Sequence, residues 1–229
     1  MADFLPLVRS AILTSIPFMK PFLIGIAGPS CSGKTELSRA LAKWLPGGAP
    51  VVTLDSYYHP LDHLPLEERA KINFDHPDAL DWNRIEADVQ QLAAGNPIYE
   101  PIYLFDKHTR SAESQLVEPK RFVIVEGLFV LHSKVIRDLL SDKFFVSTPD
   151  DECYRRRLMR DTVERGRTEE SICSQYNATV RPMAEAYVIP TMKFADLVVA
   201  GNQPMAHSIE MVKEHLAVHL SLVAAAASA

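Results

Sequence analysis

Cysteine is scarce in this 229-residue chain: there are three, Cys31, Cys153 and Cys173. An odd, widely spaced set excludes a disulfide framework, and none of the spacings makes a zinc site. A reducing compartment, the cytoplasm, fits such a set. Positive charge is also in deficit. The formal net charge of −5 argues against nucleic acid as a general partner. Long apolar runs are missing as well. Ala11 to Phe18 is too short to span a bilayer, Pro6 and Pro17 break that region, and no small-residue cleavage site follows it. Residues 1–20 therefore read as a short helical or frayed extension. Translation from Met19 is a second reading, because the fold needs only the residues from about Lys20 onward; an intact Met1 or Ala2 end in mass spectrometry would sink it. With no internal repeat and no dividing linker, the rest suits one α/β domain over 21–222, with a tail at 223–229.

What is present is a strong alternation of elements. Phe22 to Ala27 is an apolar run that reads as a buried strand. Leu37, Ala40, Leu41 and Trp44 recur at helical spacing and stop at Pro46-Gly47-Gly48. Val51 to Leu54 is a second strand. Asp55 to Ala79 is polar, aromatic and proline-rich, too long for a bare connection. Asp81 is placed to cap a helix carrying Ile85, Val89 and Leu92, with Gly95 past its end. Pro97 to Phe105 suits a strand or hairpin. Phe122 to Val125, Lys143 to Val146 and Leu197 to Ala200 are further strands. Asp150 to Glu164, Ile172 to Tyr187 and an amphipathic stretch through Ile209, Val212, Leu216, Leu220 and Val223 are helices. Strands alternating with helices imply a doubly wound, mostly parallel sheet in three layers.

Gly28-Pro-Ser-Cys-Ser-Gly33-Lys34-Thr35 sits between the first strand and the first helix and fits G-x-x-x-x-G-K-T. The glycines let backbone N–H groups turn toward phosphates, and the helix N-terminus adds partial positive charge. Gly28, Ser30, Ser32, Gly33, Lys34 and Thr35 are thus candidate phosphate-binding residues. Lys34 is suited to the β- and γ-phosphates and the Thr35 hydroxyl to Mg²⁺. Such a loop indicates a nucleoside triphosphate but not the reaction. No N-K-x-D segment for guanine is present, and motor or AAA-type ATPases are longer. The size fits a small-molecule kinase.

Asp55 follows the second strand directly, on the edge where a parallel sheet carries its ligands. It suits a proton acceptor or a Mg²⁺ partner, and equally a local turn cap. Glu126 ends the third apolar strand on the same edge. A carboxylate there holds Mg²⁺ through water, or is a buried, paired structural group.

Several stretches resemble the uridine–cytidine kinase family, within the group that includes phosphoribulokinase. They are Thr53-Leu-Asp-Ser-Tyr-Tyr58, Asn73-Phe-Asp-His-Pro-Asp-Ala-Leu-Asp81, Pro101-Ile-Tyr-Leu-Phe-Asp-Lys-His-Thr-Arg110, Glu126-Gly-Leu-Phe129 and Arg157-Leu-Met-Arg-Asp-Thr-Val-Glu-Arg-Gly-Arg167. Gln175-Tyr176 and Pro190-Thr-Met-Lys-Phe-Ala-Asp196 continue the likeness, which covers about residues 22 to 203 in order. The resemblance implies phosphorylation of uridine and cytidine at the 5′-hydroxyl, with ATP or GTP as donor, and a cytoplasmic homotetramer. By the same resemblance Asp55 is the general base, and Thr35, Asp55 and Glu126 surround Mg²⁺. Asp75 and Arg157 hold the ribose hydroxyls. Tyr103, His108 and Arg167 read the pyrimidine edge, Phe74 and Phe105 wall the ring, and Tyr58 lines the pocket. Read without the resemblance, Phe74 and Phe105 suit a core, His108 suits a surface loop, and Arg157 with Asp161 is a plain i, i+4 pair.

The basic run then falls into place. Arg157 and Arg160 share a helix face, and Arg165 and Arg167 flank Gly166, a hinge or helix end. These arginines suit a helical lid over about 155–176, with Gln175 in it. Arg160 and Arg165 would neutralise charge on the transferring phosphoryl group. A solvated charged helix is the plainer alternative. In two places the chain departs from the family pattern. Leu104 stands where Tyr-Asp-Phe is expected, and the phosphate loop reads Gly-Pro-Ser-Cys. Alternatives are a sibling kinase with another ribosyl or small hydroxylated acceptor, or a nucleotide-binding regulatory protein without transfer activity.

Overall fold

The structure, a computed structural model, describes residues 20–226, with side chains through residue 217. The extension before Lys20, the Met19 start, the side chains of Leu220 and Val223, and residues 227–229 of the tail lie outside the described residues. Strand β1 (Phe22–Ala27) leads through the phosphate loop into helix α1 (Lys34–Trp44), and β2 (Val51–Thr53) runs into a 3₁₀ turn, Leu54–Tyr57. The long connection that follows holds one helical turn, α2 (Leu66–Arg69), and a 3₁₀ turn at Pro77–Ala79. Next come α3 (Trp82–Ala94), the hairpin β3 (Ile98–Leu104) and β4 (Thr109–Val117), β5 (Phe122–Glu126), α4 (Lys134–Leu139) and β6 (Asp142–Ser147). Helices α5 (Asp150–Arg165) and α6 (Glu169–Gln175) precede a continuous helical stretch to Phe194, then β7 (Leu197–Ala200) and α7 (Met205–Ala226).

Five strands form an all-parallel sheet in the order β2-β5-β1-β6-β7. β3 and β4 form a separate antiparallel pair. Alternation along the parallel strands feeds two cores. Ile24, Ile26, Phe122, Ile124, Phe144 and Val146 face Leu37 and Leu41 of α1 and Val212 and Leu216 of α7. Leu23, Ala27, Val123, Val125 and Phe145 face Ile85, Val89 and Leu92 of α3 and Ile136 of α4. Both faces are covered, so the strands read as unbroken apolar runs rather than as alternations. This is the three-layer, doubly wound α/β architecture expected.

The capping reading holds. The Asp81 carboxylate accepts from Arg84 N at 3.2 Å, and Gly95 closes α3 with φ 87°. Gly166 ends α5 with φ 60°. Some bounds move. Leu54 leaves β2 for the 3₁₀ turn, while Glu126 ends β5 as expected. The helical segment from Ile172 carries π-type turns at Tyr176–Val180 and Ala184–Val188. Pro182 and Pro190 each lack the backbone donor that regular α geometry uses. Two elements, β4 and α4, carried too few buried positions to be read in advance. In β4 only Thr109 and Val117 are buried, and in α4 only Ile136. Among the described residues no helix is long and apolar enough to cross a membrane.

Phe144 is fully buried, with His215 edge-on at 5.5 Å. Phe144→Ala is expected to lower unfolding free energy by about 3–5 kcal/mol, seen as a reduced urea midpoint at unchanged slope.

Candidate active site

Because all five strands run the same way, their carboxyl ends share one edge of the sheet. That edge carries Gly28 after β1, Asp55 after β2, Glu126 at the end of β5 and Thr148 after β6. The phosphate loop is held there by close backbone approach. At Gly28, with φ 151°, a Cβ would lie 2.6 Å from the Val146 carbonyl oxygen. Gly33, with φ 102°, takes the left-handed turn into α1. Cys31 also adopts positive φ, 61°, so it fills loop space at a position that glycine occupies more easily. Thr148 Oγ1 donates to Ser32 O at 2.9 Å, and Arg156 donates to Gly201 O at 2.9 Å and to Ser32 O at 3.3 Å. Arg156 thus ties the outside of the loop to the end of β7, a structural use of one member of the basic run.

Lys34 is 92 % buried at the start of α1, and Thr35 Oγ1 lies 3.4 Å from both Glu126 carboxylate oxygens. Burial pushes the Glu126 carboxyl up, Lys34 pulls it down, and the Asp55 carboxylate pushes it up again. Thr35, Asp55 and Glu126 make an all-oxygen donor set. That is the chemistry Mg²⁺ prefers when it is held by one or two carboxylates plus water and phosphate oxygens. Among the described residues no group of three or more His, Cys, Asp and Glu side chains forms a metal cage, and Mg²⁺ in such company does not need one.

Above the loop, one carboxylate organises the arginines. Asp161 is fully buried. Its oxygens lie 2.8 Å from Arg160, 3.4 Å from Arg165, 3.4 Å from Arg167 and 3.5 Å from Arg157. Arg157 also reaches Ser30 Oγ of the phosphate loop at 3.2 Å. Gln175 Oε1 accepts from Arg157 at 3.2 Å and from Arg167 at 2.6 Å. The arginines singled out in the sequence therefore converge with Gln175. Asp161, read only as the i, i+4 partner of Arg157, is the anion on which they converge.

The acceptor side is aromatic. Tyr58 sits 5.4 Å from Phe74 and 5.3 Å from Tyr103, ring to ring. Phe74 stacks on His108 at 5.1 Å, and Tyr103 meets Phe105 edge-on at 5.2 Å. All five residues thus form one box; Tyr58 and Tyr103 are buried and Phe105 is exposed. The Tyr103 hydroxyl is buried with no hydrogen-bond partner. Burial and the neighbouring Arg69 charge hold His108 below its ordinary value, which favours its neutral form. Asp75 accepts from Thr179 Oγ1 at 3.4 Å; burial raises its carboxyl and Arg157 draws it back. Arg167 hydrogen-bonds Asp161, Gln175 and Ser171. Where the family pattern carries aspartate, Leu104 is half-buried. The loop there is secured by Arg69 donating to Lys107 O at 2.9 Å and by Thr109 donating to Asp62 at 2.8 Å.

Comparison with known proteins follows the same lines. The model of the phosphoribulokinase / uridine kinase family matches residues 23–205. A protein named uridine kinase from Ligilactobacillus salivarius is 43 % identical over 181 residues, 79 % of this chain and 85 % of its own. Another of that name from Chloroflexus aurantiacus is 42 % identical over 194 residues, 84 % and 92 % of the two chains. Among solved structures, D-glycerate 3-kinase from Cryptococcus neoformans superposes with a TM-score of 0.58 at 19 % identity, over 76 % of this chain and 80 % of that one, a likeness of fold.

Asp161→Asn removes the anion that four guanidinium groups share. The expected loss is about 2–3 kcal/mol, below the value for a fully buried pair because three of the arginines are partly solvated. Thermal melts should show added tripolyphosphate restoring more stability to the variant than to the parent. Equal shifts in the two proteins would contradict the arrangement.

Proposed function

Given that the chain belongs to the phosphoribulokinase/uridine kinase family, we propose that it phosphorylates uridine and cytidine at the 5′-hydroxyl. The proposed donor is ATP or GTP with Mg²⁺, and the proposed compartment the cytoplasm. The observation that carries this is the identity of 42–43 % to proteins named uridine kinase over about four-fifths of the chain. The convergence of phosphate loop, carboxylates, arginines and aromatic box on one sheet edge supports it.

The aromatic box receives the pyrimidine. Phe74 and Phe105 are its walls, Tyr58 lines it, and Tyr103 and His108 contact the base edge. The unpartnered Tyr103 hydroxyl and a neutral His108 give that edge hydrogen-bonding groups without an added charge. Asp75 and Arg157 take the ribose hydroxyls, a carboxylate accepting and a guanidinium donating. The 5′-hydroxyl is then directed toward Asp55, which accepts its proton as the oxygen attacks in line. Backbone N–H groups from Gly28 to Thr35, with Ser30, Ser32 and Lys34, hold the donor phosphates. Arg160 and Arg165 complete the charge on the transferring group, and Arg167 and Gln175 close the lid around it. Thr35, Asp55 and Glu126 would hold Mg²⁺, which when bound withdraws charge from the phosphate oxygens. Closing of the segment over about 155–176 would exclude water from the transferring group. Leu104 favours a second reading, a different ribosyl or small hydroxylated acceptor on the same machinery.

ADP formation should depend strictly on the presence of an acceptor; no ADP with any acceptor, or ADP formed at the same rate without one by transfer to water, would favour a nucleotide-binding protein without transfer to an acceptor. Asp55→Asn should leave nucleotide affinity largely intact while turnover falls about 10²–10⁴-fold. Near-normal turnover would remove Asp55 from the role of base.

A further inference from the structure

The turn that carries Asp55 is gripped at both ends by the hairpin that walls the acceptor. On its C-terminal side, Arg110 of β4 donates to Tyr57 O and Tyr58 O, both at 2.8 Å, and pairs with Asp81 at 3.1 Å. On its N-terminal side, Glu100 of β3 accepts from Thr53 N at 3.1 Å and from the Ser56 hydroxyl. Glu100 is 94 % buried, an uncommon place for a carboxylate unless its oxygens are used. Burial pushes its carboxyl up, and the two donors pull it back. Thr53 and Ser56 bracket Asp55 in the chain, and Thr53 Oγ1 also accepts from Asp55 N at 3.4 Å.

Strand parity explains how a hairpin serves both tasks. Ile98 and Glu100 point inward, the register shifts between Pro101 and Tyr103, and Tyr103 then points inward in turn. A regular strand would send Glu100 and Tyr103 to opposite faces; the irregularity re-aims them to one side. The acceptor's base-edge residue and the anchor beneath the catalytic turn are therefore three residues apart on one strand.

We propose that Glu100 is a positioning residue that sets Asp55 for proton abstraction, mechanically joining the acceptor-binding hairpin to the catalytic turn. The inference rests on Asp55 being the general base. Glu100 touches neither substrate nor phosphate, so its effect is on turnover rather than on acceptor binding. A displacement of the base by an ångström is enough to cost about 10²-fold.

The test is a double-mutant cycle with Asp55→Asn, with turnover normalised to folded protein by nucleotide-binding stoichiometry. Glu100→Leu fills the same space and leaves the Thr53 N–H and Ser56 hydroxyl without their acceptor. It is expected to lower kcat by about 10–100-fold with acceptor KM changed less than about 3-fold. Glu100→Gln, which keeps one acceptor oxygen, should stay within about 3-fold of the parent. In the Asp55→Asn background, Glu100→Leu should cost nothing further, because a positioning residue has nothing left to position. Multiplicative losses, or a rise in KM at constant kcat, would overturn the proposal. If Glu100→Leu does not accumulate as folded protein, Ser56→Ala takes its place in the same cycle, with the same two outcomes. Should Asp55→Asn itself retain near-parent turnover, the reading of Asp55 fails instead, and the two failures are distinguished by that single variant.

Discussion

All five strands of the main sheet point the same way, and the chemistry of the protein depends on that constraint. A parallel sheet gathers the carboxyl ends of its strands on one edge, whatever their separation in sequence. Gly28, Asp55, Glu126 and Thr148 meet because β1, β2, β5 and β6 each end there. Burial of both faces, by α1 and α7 on one side and α3 and α4 on the other, fixes the strands that deliver these residues. The phosphate loop gains a rigid seat from the same arrangement. The backbone of β6 lies so close to Gly28 that only a residue without Cβ fits, and at Gly201 a Cβ would strike the Ser32 carbonyl and the Thr148 hydroxyl.

Charge is distributed to match a polyanion and a hydroxyl. Four guanidinium groups share the single Asp161 carboxylate, which leaves an excess of positive charge directly over the phosphate loop. Asp161 holds the side chains in place without neutralising them. Below them, Glu126 and Asp55 raise the local demand for a cation, and Lys34 answers part of it. The overall negative charge of the chain therefore conceals a cluster of arginines beside the phosphate loop.

Much of this was legible in the sequence for a physical reason. Strands buried on both faces are apolar without interruption, and phosphate binding by backbone groups demands glycine at fixed spacing, so β1, β2, β5 and the loop announce themselves. The aromatic residues Tyr58, Phe74, Tyr103, Phe105 and His108 were singled out through family resemblance and do form one cluster. β4 escaped notice because only its two end residues are buried, so it carries no apolar alternation, and its partner strand, not its own pattern, holds it in place. Asp161 and Glu100 escaped notice because their roles come from residues brought together by the fold. A buried carboxylate looks like any other in sequence, and only the inward parity of Glu100 between Ile98 and Tyr103 could have marked it.

The account stands most directly on where the phosphoryl group goes. With ATP, Mg²⁺ and uridine, ADP and uridine 5′-monophosphate should form in equal amounts, with cytidine behaving alike, while 5′-deoxyuridine should yield neither product. No turnover of uridine or cytidine, or ADP formation undiminished with 5′-deoxyuridine, would contradict it.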